Sequence, residues 1–412
     1  MLDIKILRDE PEMVKEKISL KRVKTEVVDE FLEADKKWRE LVLKRDEAKA
    51  KQKILGEEKK IEEAKKIKTI IQELEPQIEE LALKRDILLE KIPNLPDDSV
   101  TVGRDDSENP VLKEVGEKTK FDFEPKDYME IAEKLNLIDT KQAGKIVGSR
   151  FGYLFNEAVL LEFGLVRLAF DTLLKEGFSP VVPPVMIREE FYRGMGRLAG
   201  DQKDERYYLK NDDLFLVGSA EHTIGPIHAG DILEEKDLPK RYVGFSTCFR
   251  REAGSYGKDT KGILRVHQFD KIEMFSFSLP EKSKEEHKFL LSMQEELVLK
   301  LKLPYRVVEI CTGDMGWTDA KAYDVETWMP SQNKYRETNS CSNTTDFQSR
   351  GISARYKKAD GSGVEYLHML NATGFAIGRM IIAIIENYQT KDGFVKVPEV
   401  LQPYVGKEII SR

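Results

Sequence analysis

Between Val28 and Leu89 apolar residues recur at alternating steps of three and four. Phe31, Ala34, Trp38, Leu41, Ala48 and Leu55 form a first run, with Arg45 and Gln52 in two of its slots. Ala64, Ile67, Ile71, Leu74, Ile78, Leu81 and Leu88 form a second, interrupted only by Arg85. Spacing of this kind, sustained over many turns, puts one narrow apolar seam on a long helix. Leu55-Gly56, followed by Glu57-Glu58-Lys59-Lys60, offers a break between the runs. Two similar helices joined by a break predict an antiparallel hairpin, an arm roughly 40 Å long at about 1.5 Å per residue. Pro76 lies inside the second run and predicts a kink or local defect. Such an arm has no bulk for an active site, so its use is either reach or self-association. Its lysines, Lys44, Lys49, Lys51 and Lys59 among them, are interspersed with Glu and Asp, which also suits plain solvation.

The arm cannot be the whole protein. Residues 1–20 read as a short capping segment with one helix. Ile92-Pro93-Asn94-Leu95-Pro96 breaks the helical pattern, and an acidic, proline-containing stretch runs on to Asn109-Pro110. This predicts a first domain over 1–110, with the arm at about 28–91 and a linker, and a second over 111–412. With 412 residues, two domains are the natural expectation. A formal charge of −7 means that any nucleic-acid contact must come from local basic patches. The three cysteines, Cys248, Cys311 and Cys341, are far apart and form no Cys-x-x-Cys pair. That argues against a disulfide framework or zinc site and for a reducing, cytoplasmic compartment. Charge at the N-terminus comes too early for a signal peptide. The apolar run Met380–Ile385 is too short to cross a membrane.

Within the second domain the densest chemistry lies between Cys248 and Glu273. Tyr242–Phe245 and the run through Val266, Phe269, Ile272, Met274, Phe275 and Phe277 read as strands. Gly254, Gly257 and Gly262 read as a loop between them. Arg250, Glu252, Arg265, Lys271 and Glu273 sit at the roots of this hairpin. Charges on apolar strands are rarely buried without partners. An arginine fork there suits a phosphate or carboxylate, and glutamates suit an ammonium, a sugar hydroxyl or an adenine amino group. An exposed charged hairpin remains the plain alternative.

The ordered string Phe249-Arg250-Arg251-Glu252 followed by Arg265-Val266-His267-Gln268-Phe269 resembles motif 2 of the class II aminoacyl-tRNA synthetases. With Ala253-Gly254-Ser255-Tyr256-Gly257 included, it is similar to the seryl-tRNA synthetases. Phe151–Phe170, an apolar helix candidate, followed by Gly177-Phe178-Ser179-Pro180-Val181-Val182-Pro183-Pro184, resembles motif 1, the family's dimer interface. Leu370–Arg379 before the apolar helix Met380–Tyr388 resembles motif 3. Residues 279–303 read as a further helix.

The resemblance covers nearly the whole chain and carries definite implications. The fold class it implies is α+β: an antiparallel β-sheet catalytic core flanked by helices, with an N-terminal antiparallel α-helical coiled-coil arm. The activity is ATP-dependent attachment of L-serine to tRNA(Ser) through a seryl-adenylate, with tRNA(Sec) left open as a second acceptor. The arm grips the long variable arm of the tRNA, the protein is a homodimer, and ATP and Mg2+ serve as cofactors. Arg250 holds the α-phosphate and the serine carboxylate, and Arg379 the γ-phosphate. Glu252 reads the adenine amino group, Phe269 stacks on the ring, Arg265 meets the terminal phosphates, and Val266 offers main-chain contacts. Arg251 and Thr338 are carried over to ATP binding. Glu337 and Ser340 hold Mg2+ with ATP, and Asn339 stands where the family has serine. Catalysis rests on Arg250, Glu337 and Arg379. Serine is received by Ser219, which replaces a threonine, with Ala220, Glu221, Arg250, Glu273, Asn371 and Thr373. Two rivals remain: a tRNA-independent amino-acid activator and a non-catalytic RNA-binding scaffold.

Overall fold

The computed structural model describes residues 1–252 and 262–412; Gly254, Gly257 and the string from Ala253 to Gly257 lie outside the described residues. The chain divides into two compact units, Met1–Leu95 and Pro96–Arg412.

The first unit is helical. Helices α1 (Ile4–Asp9) and α2 (Pro11–Leu20) precede the long pair α3 (Glu26–Glu57) and α4 (Ile61–Glu90). The sequence predicted one helix before residue 20. Pro11 splits it, because proline has no amide to continue a helix but suits a first turn. The hairpin seam is buried at Val28, Phe31, Ala34, Leu55, Ile71, Ile78 and Leu88. With 32 residues, α3 is about 48 Å long. Gly56 stays within α3, and the chain reverses at Lys59, which takes a left-handed φ of 56°. The Lys60 amide donates to the Leu55 carbonyl (2.9 Å) and closes the turn. Helix α4 runs on through Pro76, where the Gln77 side-chain amide donates to the Glu73 carbonyl (2.9 Å).

At the root of the hairpin Asp35 is fully buried, a place where a carboxylate persists only with partners. Arg8 of α1 meets it with two donors at 2.7 and 2.8 Å, Arg39 with one at 2.9 Å, and Arg85 of α4 at 3.7 Å. Arg85 also lies over the Trp38 ring, 4.2 Å from its centre. One carboxylate thus ties α1, α3 and α4 together.

The second unit is built on an eight-stranded sheet. Its strands are β1 (Val111–Val115), β2 (Ser179–Val181), β3 (Lys240–Phe249), β4 (Gln268–Ser278), β5 (Tyr305–Glu309), β6 (Lys321–Met329), β7 (Lys334–Asn343) and β8 (His368–Ala376). The spatial order is β1-β5-β6-β7-β8-β4-β3-β2. All neighbours are antiparallel except β2, which runs parallel to β3 at the edge. Residues read as a linker belong to this unit: the Asp97 amide donates to the Ala320 carbonyl (2.8 Å), and the Thr101 hydroxyl donates to Glu309 (2.9 Å).

Helices α5 (Glu157–Leu173), α6 (Ser283–Lys300) and α7 (Ile377–Asn387) contribute to the large core of this unit. The motif 1 helix begins at Glu157, later than its apolar pattern, because residues 153–154 pair with 138–139 as a short ladder. Met380 through Ile385 are all fully buried, so α7 is a core helix. Among the described residues no helix is long and apolar enough to cross a membrane.

Candidate active site

The cleft opens where β7 and β8 part. They pair only from Cys341–Asn343 to Leu370–Ala372. Beyond Cys341 side chains replace the ladder. The Asn339 amide donates to the Thr373 and Gly374 carbonyls (3.0 and 2.6 Å), and Gln294 of α6 donates to the Ser340 and Thr373 carbonyls (2.7 and 3.0 Å). This leaves Glu337 and Thr338 on one lip and the start of α7 on the other.

Arg250 and Arg379, more than a hundred residues apart, line this one cleft. Glu252, Arg265, Val266, Phe269, Glu337, Thr338, Ser340 and Thr373 line it with them. Arg250 continues β3: its amide donates to the His267 carbonyl (2.9 Å) and its Nε to the Gly218 carbonyl (3.0 Å). Its guanidinium lies 5.3 Å from the Phe269 ring centre. Glu252 takes a left-handed φ of 51°, uncommon for a glutamate and often found at functional sites. Arg150, which sequence reasoning missed, donates to its carbonyl (2.7 Å), and Arg265 stands 3.6 Å from its carboxylate. Arg379 lies 3.1 Å from the Glu337 carboxylate; that guanidinium holds Glu337 below the usual glutamate range.

A second cavity, continuous in its lining with the first, is polar. Ser219, Glu221, Arg250, Lys271, Ser340 and Asn371 face it. Two buried ion pairs flank it: Lys271–Glu273 at 2.6 Å and Arg197–Glu221 at 2.5 Å. Burial pushes Glu273 up to about 7, with the charge of Glu221 adding to the effect and Lys271 opposing it. Burial acts the same way on Glu221, but Arg197, then His222, outweigh it and hold this carboxylate low. His222 is itself pushed down to about 3 by burial, so it is neutral. Its Nδ1 accepts from the Gly218 amide (3.1 Å), which leaves Nε2 to donate toward Glu221 at 3.3 Å. The Thr373 hydroxyl donates to Glu273 (3.4 Å). The buried Asn371 side-chain nitrogen has no partner among the described residues, leaving a donor for a small polar ligand.

Asp324 faces the same cavity and is in register with Ser340 across β6 and β7. Burial, then the charge of Glu337, hold it well above the usual carboxylate range. Two carboxylates that repel each other beside a hydroxyl fit a divalent cation. Among the described residues no three His, Cys, Asp or Glu gather in a way that could hold a metal ion.

Four sequence-assigned residues point elsewhere. Arg251 turns its side chain to the Arg206 carbonyl (2.9 Å) and the Tyr207 ring. Ala220 is buried at the start of the short helix Glu221–Ile224. The Thr338 hydroxyl bonds Thr327 (2.9 Å) beneath the sheet face, so only the rest of the residue borders the cleft. Asn339 is the strut between strands described above. Arg197, Lys271 and Asp324 carry no assignment from sequence. Lys271 was visible as a charge on an apolar strand; Arg197 gave no signal.

Residues 204–388 match the model of the tRNA synthetase class II core domain (G, H, P, S and T), and residues 1–96 that of the seryl-tRNA synthetase N-terminal domain. A serine--tRNA ligase of Thermococcus onnurineus is 43% identical, with 100% of this chain and 97% of the relative covered. The chain belongs to the seryl-tRNA synthetases. One from Nitrosopumilus maritimus is 41% identical over 99% of each chain. The crystal structure of a Pyrococcus horikoshii seryl-tRNA synthetase complexed with ATP superposes with a TM-score of 0.93 at 39% identity, covering 100% of this chain and 99% of that one. A cytoplasmic Naegleria fowleri enzyme in complex with AMP follows at 0.88 and 35%, with the same coverage.

Proposed function

We propose that the protein activates L-serine with ATP and transfers the seryl group to tRNA(Ser). A serine carboxylate oxygen attacks the α-phosphorus, the bond to the β-phosphate breaks, and pyrophosphate leaves. A terminal ribose hydroxyl of the tRNA then attacks the acyl carbon, and AMP leaves with the phosphate. Neither step needs a covalent enzyme intermediate; both need positioned charge. The observation that carries this reading is the convergence of Arg250 and Arg379 on one cleft beside a small cavity rich in paired carboxylates.

Arg250 stands at the junction of the two cavities and so serves both the α-phosphate and the serine carboxylate. Arg379 takes the γ-phosphate, with Arg265 near the terminal phosphates. Phe269 and Glu252 hold the adenine, with Val266 alongside. Glu273, Glu221 and Asn371 receive the ammonium and hydroxyl of serine, with Ser219 and Thr373. Mg2+, when bound with ATP, is held through Glu337 and Ser340, with Asp324 at the same cavity, and supplies neutralisation of phosphate charge. A site that hydrogen-bonds the serine hydroxyl rejects alanine, which would leave buried polar groups unpaired.

The helical hairpin reaches for the tRNA. Its presence favours this reading over a tRNA-independent activator. We place the reaction in the cytoplasm, with serylation of tRNA(Sec) as part of the same proposal. We also read the protein as a homodimer. On the motif 1 segment Leu160, Phe163 and Val182 are exposed, Val182 at 79%, as suits a surface awaiting a second copy. The test is ATP–pyrophosphate exchange with each amino acid in turn, followed by charging of purified tRNA(Ser) and tRNA(Sec). Exchange strongest with serine is expected; exchange with another amino acid, or none, would refute the reading.

A further inference from the structure

Beside Arg250 one arginine keeps a buried donor without a partner. Arg206 is deeply set, with its guanidinium 5.6 Å from the centre of the buried Tyr192 ring. Among the described residues its buried Nε has no hydrogen-bond partner, and no carboxylate pairs with it. Gly218 makes the room: a Cβ there would stand 2.7 Å from Arg206 Nη1. Burial lowers the pKa of this arginine; Tyr192 and Glu221 oppose the shift, while Arg250 and Arg197 beside it add repulsion. An arginine nevertheless stays charged at neutral pH. The Nε of Arg197 is likewise buried without a partner. Arg197, Arg206 and Arg250 thus stand together, and of the three Arg197 is ion-paired to Glu221 while Arg206 keeps an unmet donor. A buried donor left unpaired is costly, so the arrangement points to an oxyanion that arrives from outside.

Three cavities meet at Arg250. One is the nucleotide cleft, one the amino-acid cavity. The third, of about 420 Å³, is lined by the arginines Arg197, Arg206, Arg250 and Arg265 and by the glutamates Glu205, Glu221 and Glu252. Arg206 also borders a neighbouring groove that holds Tyr207, Tyr208, Arg251 and His267, together with Lys203, Asp204 and Glu189. Aromatic rings interleaved with cations are suited to unpaired nucleotides.

We infer that Arg206, supported by Arg197, is a positioning residue that binds the phosphodiester of the acceptor RNA's unpaired 3′ end and aims its terminal ribose at Arg250. This rests on the functional reading above. ATP and serine occupy the first two cavities, so the third is the remaining approach to the acyl carbon. The phosphodiester brings an acceptor for the donor that Arg206 leaves unmet.

The test compares the wild-type protein with Arg206→Met and Arg206→Lys. Two rates are measured for each: serine-dependent ATP–pyrophosphate exchange, and single-turnover transfer from preformed seryl-adenylate to tRNA(Ser). For Arg206→Met the loss in transfer should exceed the loss in exchange by about tenfold or more, the scale of one charge-assisted contact. The dependence of tRNA KM on salt should flatten by about one phosphate, a slope change of roughly 0.7. Arg206→Lys should restore part of both. Equal losses in exchange and transfer would place Arg206 in the serine or ATP site and overturn the inference, as would transfer at the wild-type rate. A wild-type protein with no serine-dependent exchange would defeat the functional reading first, and this inference with it.

Discussion

Arg379 Nη1 stands 3.1 Å from the Glu337 carboxylate and donates to the carbonyl of the same residue at 2.9 Å. The first turn of α7 is thereby latched to the lip of the cleft. The guanidinium is aimed before any nucleotide arrives, which is the preorganisation that phosphate chemistry rewards. Arg379→Ala should lower serine-dependent ATP–pyrophosphate exchange by about a thousandfold, the upper range for one lost electrostatic contact. Binding of tRNA, followed by filter retention, should remain. Exchange at the wild-type rate would remove Arg379 from the mechanism.

Glu273 must be ionised to receive an ammonium, and its pKa is raised to about 7 by burial. A raised carboxyl favours the protonated fold. Its contribution to stability is complete below the ordinary glutamate range and is lost as pH climbs through 7. For binding the sign is reversed. The KM for serine in exchange should fall about tenfold between pH 6 and pH 8, following the ionised fraction. Glu273→Gln should flatten that profile while raising KM throughout. A profile that stays steep in the variant would assign the titration to another group.

Asp35 is the single buried carboxylate shared by Arg8, Arg39 and Arg85 at the arm's root. Burial opposes its ionisation, but its arginine partners prevail, Arg8 foremost, and its pKa is lowered. The stability it contributes is present above the ordinary aspartate range and is lost as pH falls through the depressed value. Asp35→Asn should destabilise the N-terminal unit by about 1–2 kcal/mol, since the more enclosed Arg85 loses its carboxylate while the partly exposed Arg8 and Arg39 regain solvent. Urea melts followed at Trp38 would measure this; a change below about 0.5 kcal/mol would mean that the cluster is dispensable.

The distal arm lies beyond this root. Removing residues 43–81 and closing the hairpin with a short turn keeps Asp35, Trp38 and Arg85. Exchange should stay within about twofold, because no residue of the nucleotide or serine cavity is removed. The KM for tRNA(Ser) should rise by at least about tenfold, with loss of the salt dependence that phosphate contacts impose. Aminoacylation at the wild-type KM would assign the arm to another task.

Periodicity alone gave the hairpin, because a seam repeated over many turns has few other solutions. The hairpin roots at Arg250 and Glu273 were legible for a related reason: charges on apolar strands stand out locally. Pro11 splitting the first helix and residues 96–110 packing on the second unit were less visible. A helix start and a linker look alike until the partner surface is known. The roles of Arg197, Arg206 and Asp324 came only from the fold. Each sits in unremarkable local sequence, and each matters through a neighbour a dozen or more residues along the chain: Glu221, Gly218 and Glu337. Asn339 shows the same limit from the other side. The resemblance carried it over to ATP binding in place of a serine, while the parting of β7 from β8 makes it a strut, because unpaired carbonyls must be satisfied. Sequence thus determined the helical arm, which strands carry charge and in what order they follow. Tertiary structure decided which charges face one another, since burial and pairing depend on distances that no local pattern encodes.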